Sequence, residues 1–116
     1  MTPDALIPAL SALQDRGWPL TRRLDGNLET YFALRLERGN HYDYYPAVPT
    51  APWVLEGWLR WRLGVWGYRR EVEYAGDWAE VRIIDRHITR AETVSTSELE
   101  ALITCCLALP EDPHAR

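Results

Sequence analysis

Two pairs of histidine and aspartate residues could hold a metal ion. His41 and Asp43 are two positions apart, and so are Asp85 and His87. Residues i and i+2 of a β-strand project from the same face, so each pair offers an imidazole and a carboxylate to one ion. The ordinary explanation is that all four lie near turns, where Asp and His are common and solvated. A metal-dependent enzyme is therefore the last of three functional hypotheses.

A stretch between positions 57 and 70 suits nucleic-acid binding. It has four arginines and no acid, and its aromatic residues are Trp58, Trp61, Trp66 and Tyr68. Arginine beside exposed aromatic rings favours stacking on bases and contact with phosphates, and Arg60, Arg69 and Arg70 would make these contacts. However, the aromatic residues follow the apolar arc of a predicted helix, and the net charge of −4 weighs against strong nonspecific binding. Nucleic-acid binding is the second hypothesis.

Aromatic residues next to charged ones also suit a protein interface, and this is the leading hypothesis. The sequence indicates a small non-enzymatic binding protein that acts through a protein partner or by self-association. The candidate contact residues are Tyr42, Tyr44, Arg35, Trp53, Trp61 and Arg62.

The orientation of Tyr42 and Tyr44 depends on one turn. Gly39-Asn40 fits a two-residue type II′ turn, which pairs Glu37 with Tyr42 and Arg35 with Tyr44 and places both tyrosines on the polar face. A three-residue loop would reverse them, because a slip of one residue moves every side chain to the other face. The sequence leaves both registers open.

Arg62 lies in the middle of the apolar arc of its predicted helix. Burial of an unpaired guanidinium is costly, so the side chain must reach a carboxylate across the core, extend to a rim or anchor an interface. Extension to a rim is the default expectation.

Motifs for covalent catalysis or cofactor binding are not found in the sequence. There is no nucleophile elbow, no phosphate-binding glycine loop and no recognisable carboxylate pair, and we expect no cofactor. Cys105 and Cys106 are adjacent in a predicted helix and are expected to be reduced thiols, Cys106 buried and Cys105 partly exposed.

Composition indicates one globular domain. The chain has 116 residues, of which 47% are hydrophobic and 26% charged, and all of its basic residues are arginine. No apolar run has the length of a transmembrane segment, and residues 1–4 do not resemble a secretory signal. We therefore expect a cytoplasmic protein without a membrane partner.

Periodicity and turn residues predict nine elements. Helices are expected over residues 4–16 and 51–64 and from a Ser95/Glu98 capping box to residue 109. Strands are expected over 20–24, 28–38, 41–45, 68–74, 78–85 and 88–94.

The second half of the chain repeats the first. Trp18 and Trp66 are 48 positions apart, and Thr50 and Thr96, each before a predicted helix, are 46 apart. Two strand-strand-strand-helix units, over about residues 18–64 and 66–109, would explain this offset. We predict an α+β fold of order α-βββ-α-βββ-α, with antiparallel sheet or sheets packed against three helices in one domain of residues 1–110. Residues 111–116 are expected to be a flexible tail.

Residues 5–64 resemble small phage or prophage α/β sandwich proteins, a group that largely lacks assigned functions. The shared markers are Leu-x-x-Arg-Gly-Trp (13–18), Asp-Gly-Asn (25–27), Leu-Glu-Arg-Gly (36–39) and Pro-Thr-Ala-Pro (49–52). The resemblance implies the fold and a mobile-element context. The α-βββ-α order is also similar to a double-stranded-RNA-binding domain, but Thr-Ala-Pro-Trp (50–53) stands where that family has a lysine-rich cluster.

Overall fold

The computed structural model describes residues 3–24, 26–27, 30–38, 41–47 and 52–109, which form three helices and six strands. The elements in chain order are α1 (Pro3–Asp15), β1 (Leu20–Leu24), β2 (Thr30–Arg38), β3 (His41–Ala47), α2 (Pro52–Val65), β4 (Tyr68–Ala75), β5 (Trp78–Asp85), β6 (Ile88–Ser95) and α3 (Glu98–Ala108). The α+β class and the order α-βββ-α-βββ-α are confirmed.

The first half forms an antiparallel sheet of order β1-β2-β3, called sheet 1. Arg38 lies opposite His41, Glu37 opposite Tyr42, and Arg35 opposite Tyr44. This is the register of a two-residue connection, so the first of the two sequence alternatives is correct. Residues 39–40, and the side chains of 41–47, lie outside the described residues.

The second half forms a separate antiparallel sheet of order β4-β5-β6, called sheet 2. Gly76, with φ of 61°, turns the chain between β4 and β5, where Ala75 pairs with Trp78. A positive φ at the first position of a two-residue hairpin loop suits the strand twist, and glycine adopts it without steric cost. Arg86 takes a similar φ of 59° between β5 and β6.

Each sheet is followed by a helix that packs on it. The middle helix, α2, contacts β3 of sheet 1, β4 of sheet 2 and α3. A helix that is apolar over much of its circumference can pack against more than one neighbour, and α2 does so. The last helix, α3, covers β5 and β6, and α1 contacts both α3 and β1.

One apolar core joins the two halves. Its fully buried members include Leu10 of α1, Phe32 of β2, Leu59 of α2, Ile83 of β5 and Ile103 of α3. Burial of each such side chain contributes about 1.5–3 kcal/mol. The two sheets are therefore parts of one packed body.

The last helix begins two residues later than its expected cap. Ser97, rather than Ser95, is the N-cap, and its hydroxyl accepts a hydrogen bond from the Glu100 N–H at 3.2 Å. The expectation for Ser95 is wrong because β6 extends through that residue. Among the described residues, no helix has the length and hydrophobicity required to span a bilayer.

Candidate functional site

A proline leaves one carbonyl of sheet 1 without its strand partner. Leu20 pairs with Leu34, so the next position of the register sets Pro19 opposite Arg35. The Arg35 N–H donates to the Pro19 carbonyl at 3.1 Å, but Pro19 has no N–H with which to return the bond. Because a carbonyl removed from water needs a donor, the Arg35 carbonyl must be satisfied from elsewhere.

Two side chains of α2 supply the missing donor. Trp58 Nε1 and Arg62 Nη2 each donate to the Arg35 carbonyl oxygen at 2.9 Å. The two residues are four positions apart, so they lie one turn apart on the same face of the helix. The defect in the ladder thereby becomes the attachment point of α2 on sheet 1.

Arg62 also forms an ion pair inside the protein. Its side chain is 1% exposed, and its Nη1 lies 2.9 Å from Glu37 Oε1. The expectation that Arg62 extends to a rim is wrong, because a carboxylate and a carbonyl of β2 are within reach of the buried guanidinium. Only the Arg62 side of the pair is fully buried, because the Glu37 side chain is 31% exposed. Loss of Glu37 would leave the buried guanidinium without its carboxylate, which is costly.

Three indole rings surround the same guanidinium. The Arg62 Cζ atom lies 4.7 Å from the ring centroid of Trp61, 5.6 Å from that of Trp66 and 5.7 Å from that of Trp58. The negative faces of aromatic rings attract a cation, and the attraction is greater where water is excluded. The rings therefore help to offset the desolvation of Arg62, whose Nε atom has no hydrogen-bond acceptor among the described residues. We call Arg62, Trp58, Glu37 and the Arg35 carbonyl the arginine clamp.

Glu37 is held in its ionised form. It accepts hydrogen bonds from Arg62 and, at 3.1 Å, from Nη2 of Arg35. The hydrogen bond from Arg62 is the main cause that lowers the pKa of Glu37 below its ordinary value, against an opposing effect of burial.

An apolar groove lies between α2 and β2, next to the clamp. It has a volume of about 280 Å³ and is lined by Leu34, Leu36, Val54, Gly57, Trp58 and Trp61. Trp53, one turn before Gly57, is 71% exposed, and Trp61, one turn after it, is 39% exposed. Large aromatic side chains that remain in water beside an apolar groove are typical of interaction sites.

The solvent side of α2 also contains two glycines. A Cβ atom added at Gly57 or Gly64 would meet nothing within 4 Å. Each glycine costs about 1 kcal/mol of helix stability relative to alanine, and no packing contact within the described chain requires it. The only exposed charge on this face of α2 is Arg60, because Glu56 is half-buried and lies near Arg70. We call this face, with the groove, the α2 surface.

The structure separates the six candidate partner-binding residues. Trp53 and Trp61 lie on the α2 surface, whereas Arg62 is buried behind it and does not present its guanidinium to a partner. The half-buried Arg35 side chain contacts Glu37. Tyr42 and Tyr44 pair through the backbone with Glu37 and Arg35, and their side chains lie outside the described residues.

Two of the three candidate nucleic-acid contacts are engaged within the chain. Arg69 lies 3.3 Å from Glu71, and Arg70 forms an ion pair with Glu98 of α3. Arg60 is exposed on α2. The three arginines therefore do not form one cluster of unoccupied cations.

The two metal-ligand pairs lie in different sheets. His41 and Asp43 belong to β3, with side chains outside the described residues. Asp85 ends β5, where Arg90 approaches it at 3.5 Å, and the exposed His87 lies in the following turn. The i, i+2 rule for strands thus does not apply to Asp85 and His87. Within the described ranges, no group of three or more potential metal ligands occurs.

Both cysteines are buried thiols in α3. The expectation that Cys105 is partly exposed is wrong, because its Sγ atom points to sheet 2 and donates to the Val81 carbonyl at 3.3 Å. Burial raises the pKa of Cys105 and of Cys106. Neither thiol is therefore suited to act as a nucleophile.

Sequence reasoning missed Trp58 and Glu37 as members of the arginine clamp, and Pro19 as the reason that the Arg35 carbonyl is open. The available signal was Pro19 directly before the predicted strand 20–24, because a proline opposite a strand leaves one carbonyl without its ladder bond. Comparisons of the chain with protein-family models, with curated proteins and with solved structures find no match.

Proposed function

We propose that the chain is a small non-enzymatic binding protein that contacts other proteins through the α2 surface. The observation that carries this proposal is the 71% exposure of Trp53 beside a groove lined almost entirely by apolar side chains. Tryptophan is enriched among the few residues that contribute most of the energy of an interface.

The arginine clamp supports the proposal because it holds the surface in place. Trp58 and Trp61 line the groove, and the same two rings lie against Arg62, which is anchored to β2. A groove whose walls are held in the free protein loses less conformational entropy when a partner binds. The buried polar network thus gives a rigid base to an otherwise apolar contact area.

A capture experiment with matched tryptophan variants tests the proposal. Immobilised full-length wild type, Trp53→Ser and Trp78→Ser are exposed to an extract of the source cells, and retained proteins are quantified by mass spectrometry. Trp78, on β5 of sheet 2, is 53% exposed and does not line the groove, so its variant controls for loss of a surface indole. Trp61 is unsuitable because it also contacts Arg62.

The expected result is a set of proteins retained by wild type and Trp78→Ser and reduced at least tenfold on Trp53→Ser. Equal retention by all three would count against the α2 surface. A Tyr42→Ala/Tyr44→Ala variant, included in the same experiment, tests the strand surface suggested by the sequence. If only that variant loses the captured proteins, the binding surface lies on β3 and not on α2.

Nucleic-acid binding has less support, since only Arg60 of its three arginines has no ion pair among the described contacts. Fluorescence anisotropy with labelled single-stranded and duplex oligonucleotides at low salt tests it. Binding that weakens steeply with salt and with Arg60→Ala would favour this alternative.

A further inference from the structure

The pattern of the α2 surface is symmetric about Gly57. Trp53 lies four residues before Gly57 and Trp61 four residues after it, so the two indoles flank a position without a side chain. A two-fold axis through Gly57 and perpendicular to the helix would place residue 57+k of one copy opposite residue 57−k of the other. Trp61 then lies beside Trp53 of a second copy.

We infer that the occupant of the α2 surface is a second copy of this chain, packed through antiparallel α2 helices that cross at Gly57, with each Trp53 inserted into the groove of the other copy. This inference rests on the proposed function, which places binding at the same surface. It names the partner and the residue that anchors it.

The groove is large enough for the indole of a second copy. An apolar cavity of about 150 Å³ accommodates benzene, and this groove has about 280 Å³. Its lining includes Trp61 and Gly57, which the two-fold arrangement brings next to the incoming Trp53. An exposed tryptophan and an apolar groove on one helix are therefore complementary in two copies, and each copy supplies both parts.

The glycine on the axis allows the two helices to approach closely. A side chain at position 57 would meet its own equivalent in the second copy, whereas in the single chain a Cβ there meets nothing within 4 Å. The need for glycine at this position thus arises only in the pair of helices.

The charges of α2 permit the arrangement. The two-fold relation sets Arg60 opposite Val54 of the second copy, whose apolar surface can be covered by the methylene stem of the arginine. Among the described residues this surface has no exposed acid, although the chain as a whole carries a net charge of −4. The described part of the surface therefore sets no pair of exposed carboxylates against each other in the two copies.

The expected dimer is weak. The face of a 14-residue helix is about 21 Å long and about 10 Å wide. The area of that face is smaller than the roughly 800 Å² that each partner buries in a standard interface. We therefore expect a dissociation constant in the micromolar range, measured by sedimentation equilibrium of the full chain.

Alanine substitutions at the two glycines separate the dimer from helix stability. Gly57→Ala and Gly64→Ala are both expected to raise the melting temperature of the monomer by a few degrees, because alanine favours a helix. Only Gly57→Ala should raise the dissociation constant of the dimer, at least tenfold, because the alanine methyl groups of the two copies would meet on the axis. Equal effects of both variants on the dissociation constant would overturn the two-fold arrangement.

Cysteine cross-linking locates the axis directly. With diamide as oxidant, Gly57→Cys should form a disulfide-linked dimer at least tenfold faster than Gly64→Cys, since the copies of position 64 would be about 21 Å apart along the helices. The native thiols are buried and do not compete. Equal rates would overturn the geometry.

Three further outcomes decide this inference separately from the proposed function. A wild type that remains monomeric to millimolar concentration overturns the second copy as occupant, while capture of other proteins that depends on Trp53 would leave the proposed function standing. A dimer that persists unchanged in Trp53→Ser overturns the inference, because its interface lies elsewhere. A dimer weakened tenfold by Trp53→Ser and unaffected by Trp78→Ser supports it.

Discussion

Trp18 and Trp66 contact each other edge to face, with ring centroids 4.7 Å apart and planes at 72°. They lie 48 positions apart, each between a helix and the first strand of the sheet that follows it. The two halves of the repeat therefore meet at equivalent positions. The ring centroid of Trp58 lies 6.2 Å from that of Trp18. Trp58 therefore connects this pair of indoles to the arginine clamp.

Arg62→Ala should strongly destabilise the protein. The variant leaves Glu37 without its buried partner and removes one of the two side-chain donors to the Arg35 carbonyl. Because Glu37 is 31% exposed and keeps its contact with Arg35, we expect a loss of about 1–3 kcal/mol in the free energy of unfolding, measured by urea denaturation.

Arg60→Ala is the matched control for this substitution, because Arg60 is an exposed arginine on the same helix. Its effect should stay within about 0.5 kcal/mol. Similar losses for the two variants would show that the contacts of Arg62 contribute little more than those of a surface arginine.

Glu37 should make stability depend on acidic pH. Its pKa in the folded protein is lowered from about 4.5, chiefly by the hydrogen bond from Arg62. The ionised group therefore stabilises the fold above the unfolded-state pKa, and this contribution disappears as the pH falls through the folded-state pKa. The difference in unfolding free energy between wild type and Glu37→Gln should be constant near neutral pH and shrink below about pH 4.5.

An Arg62→Met background provides the control for this pH dependence. Removal of the guanidinium removes the main cause of the lowered pKa of Glu37. The pH dependence of the Glu37→Gln difference should then be much reduced. If it remains unchanged, another group is responsible for the titration.

Tyr74 and Glu98 should shift each other's titration. The Tyr74 hydroxyl donates to Glu98 Oε2 at 2.7 Å, and this bond is the main cause that raises the pKa of Tyr74 above 10.0 and lowers that of Glu98 below 4.5. In Glu98→Gln, the pKa of Tyr74 should fall towards 10.0, as followed by NMR titration of ¹³C-labelled tyrosine. In Tyr74→Phe, the pKa of Glu98 should rise.

Glu73→Gln serves as the control for this pair, because Glu73 contacts Arg82 rather than Tyr74. It should leave the titration of Tyr74 in place. A shift in that variant as large as in Glu98→Gln would assign the effect to the general charge of the sheet.

The strands were predictable because their signals are local. β1 and β5 begin and end at the expected residues, since turn-forming residues flank both strands and β5 also alternates apolar and polar residues. The start of α3 was not predicted, because Ser95/Glu98 and Ser97/Glu100 both have the spacing of a capping box. The choice between them depends on how far β6 pairs with β5, which is a tertiary contact.

The environment of Arg62 could not be predicted for a related reason. Its helical position indicated burial, but its acceptors belong to residues 25 and 27 positions earlier. Which acceptor it reaches depends on where α2 crosses β2. At that crossing α2 bonds to the carbonyl that Pro19 leaves open.

A double-mutant cycle tests the role of Pro19 in the attachment of α2. Trp58→Phe removes one donor to the Arg35 carbonyl and keeps an aromatic ring, and it should cost about 1 kcal/mol of unfolding free energy. In a Pro19→Ala background the cost should be smaller, because the N–H of residue 19 can then donate to the same carbonyl. Trp78→Phe, on the exposed side of β5, should have the same effect in both backgrounds. If Trp58→Phe costs as much in the Pro19→Ala background as in the wild type, the missing N–H is not the reason that α2 bonds to sheet 1 at this point.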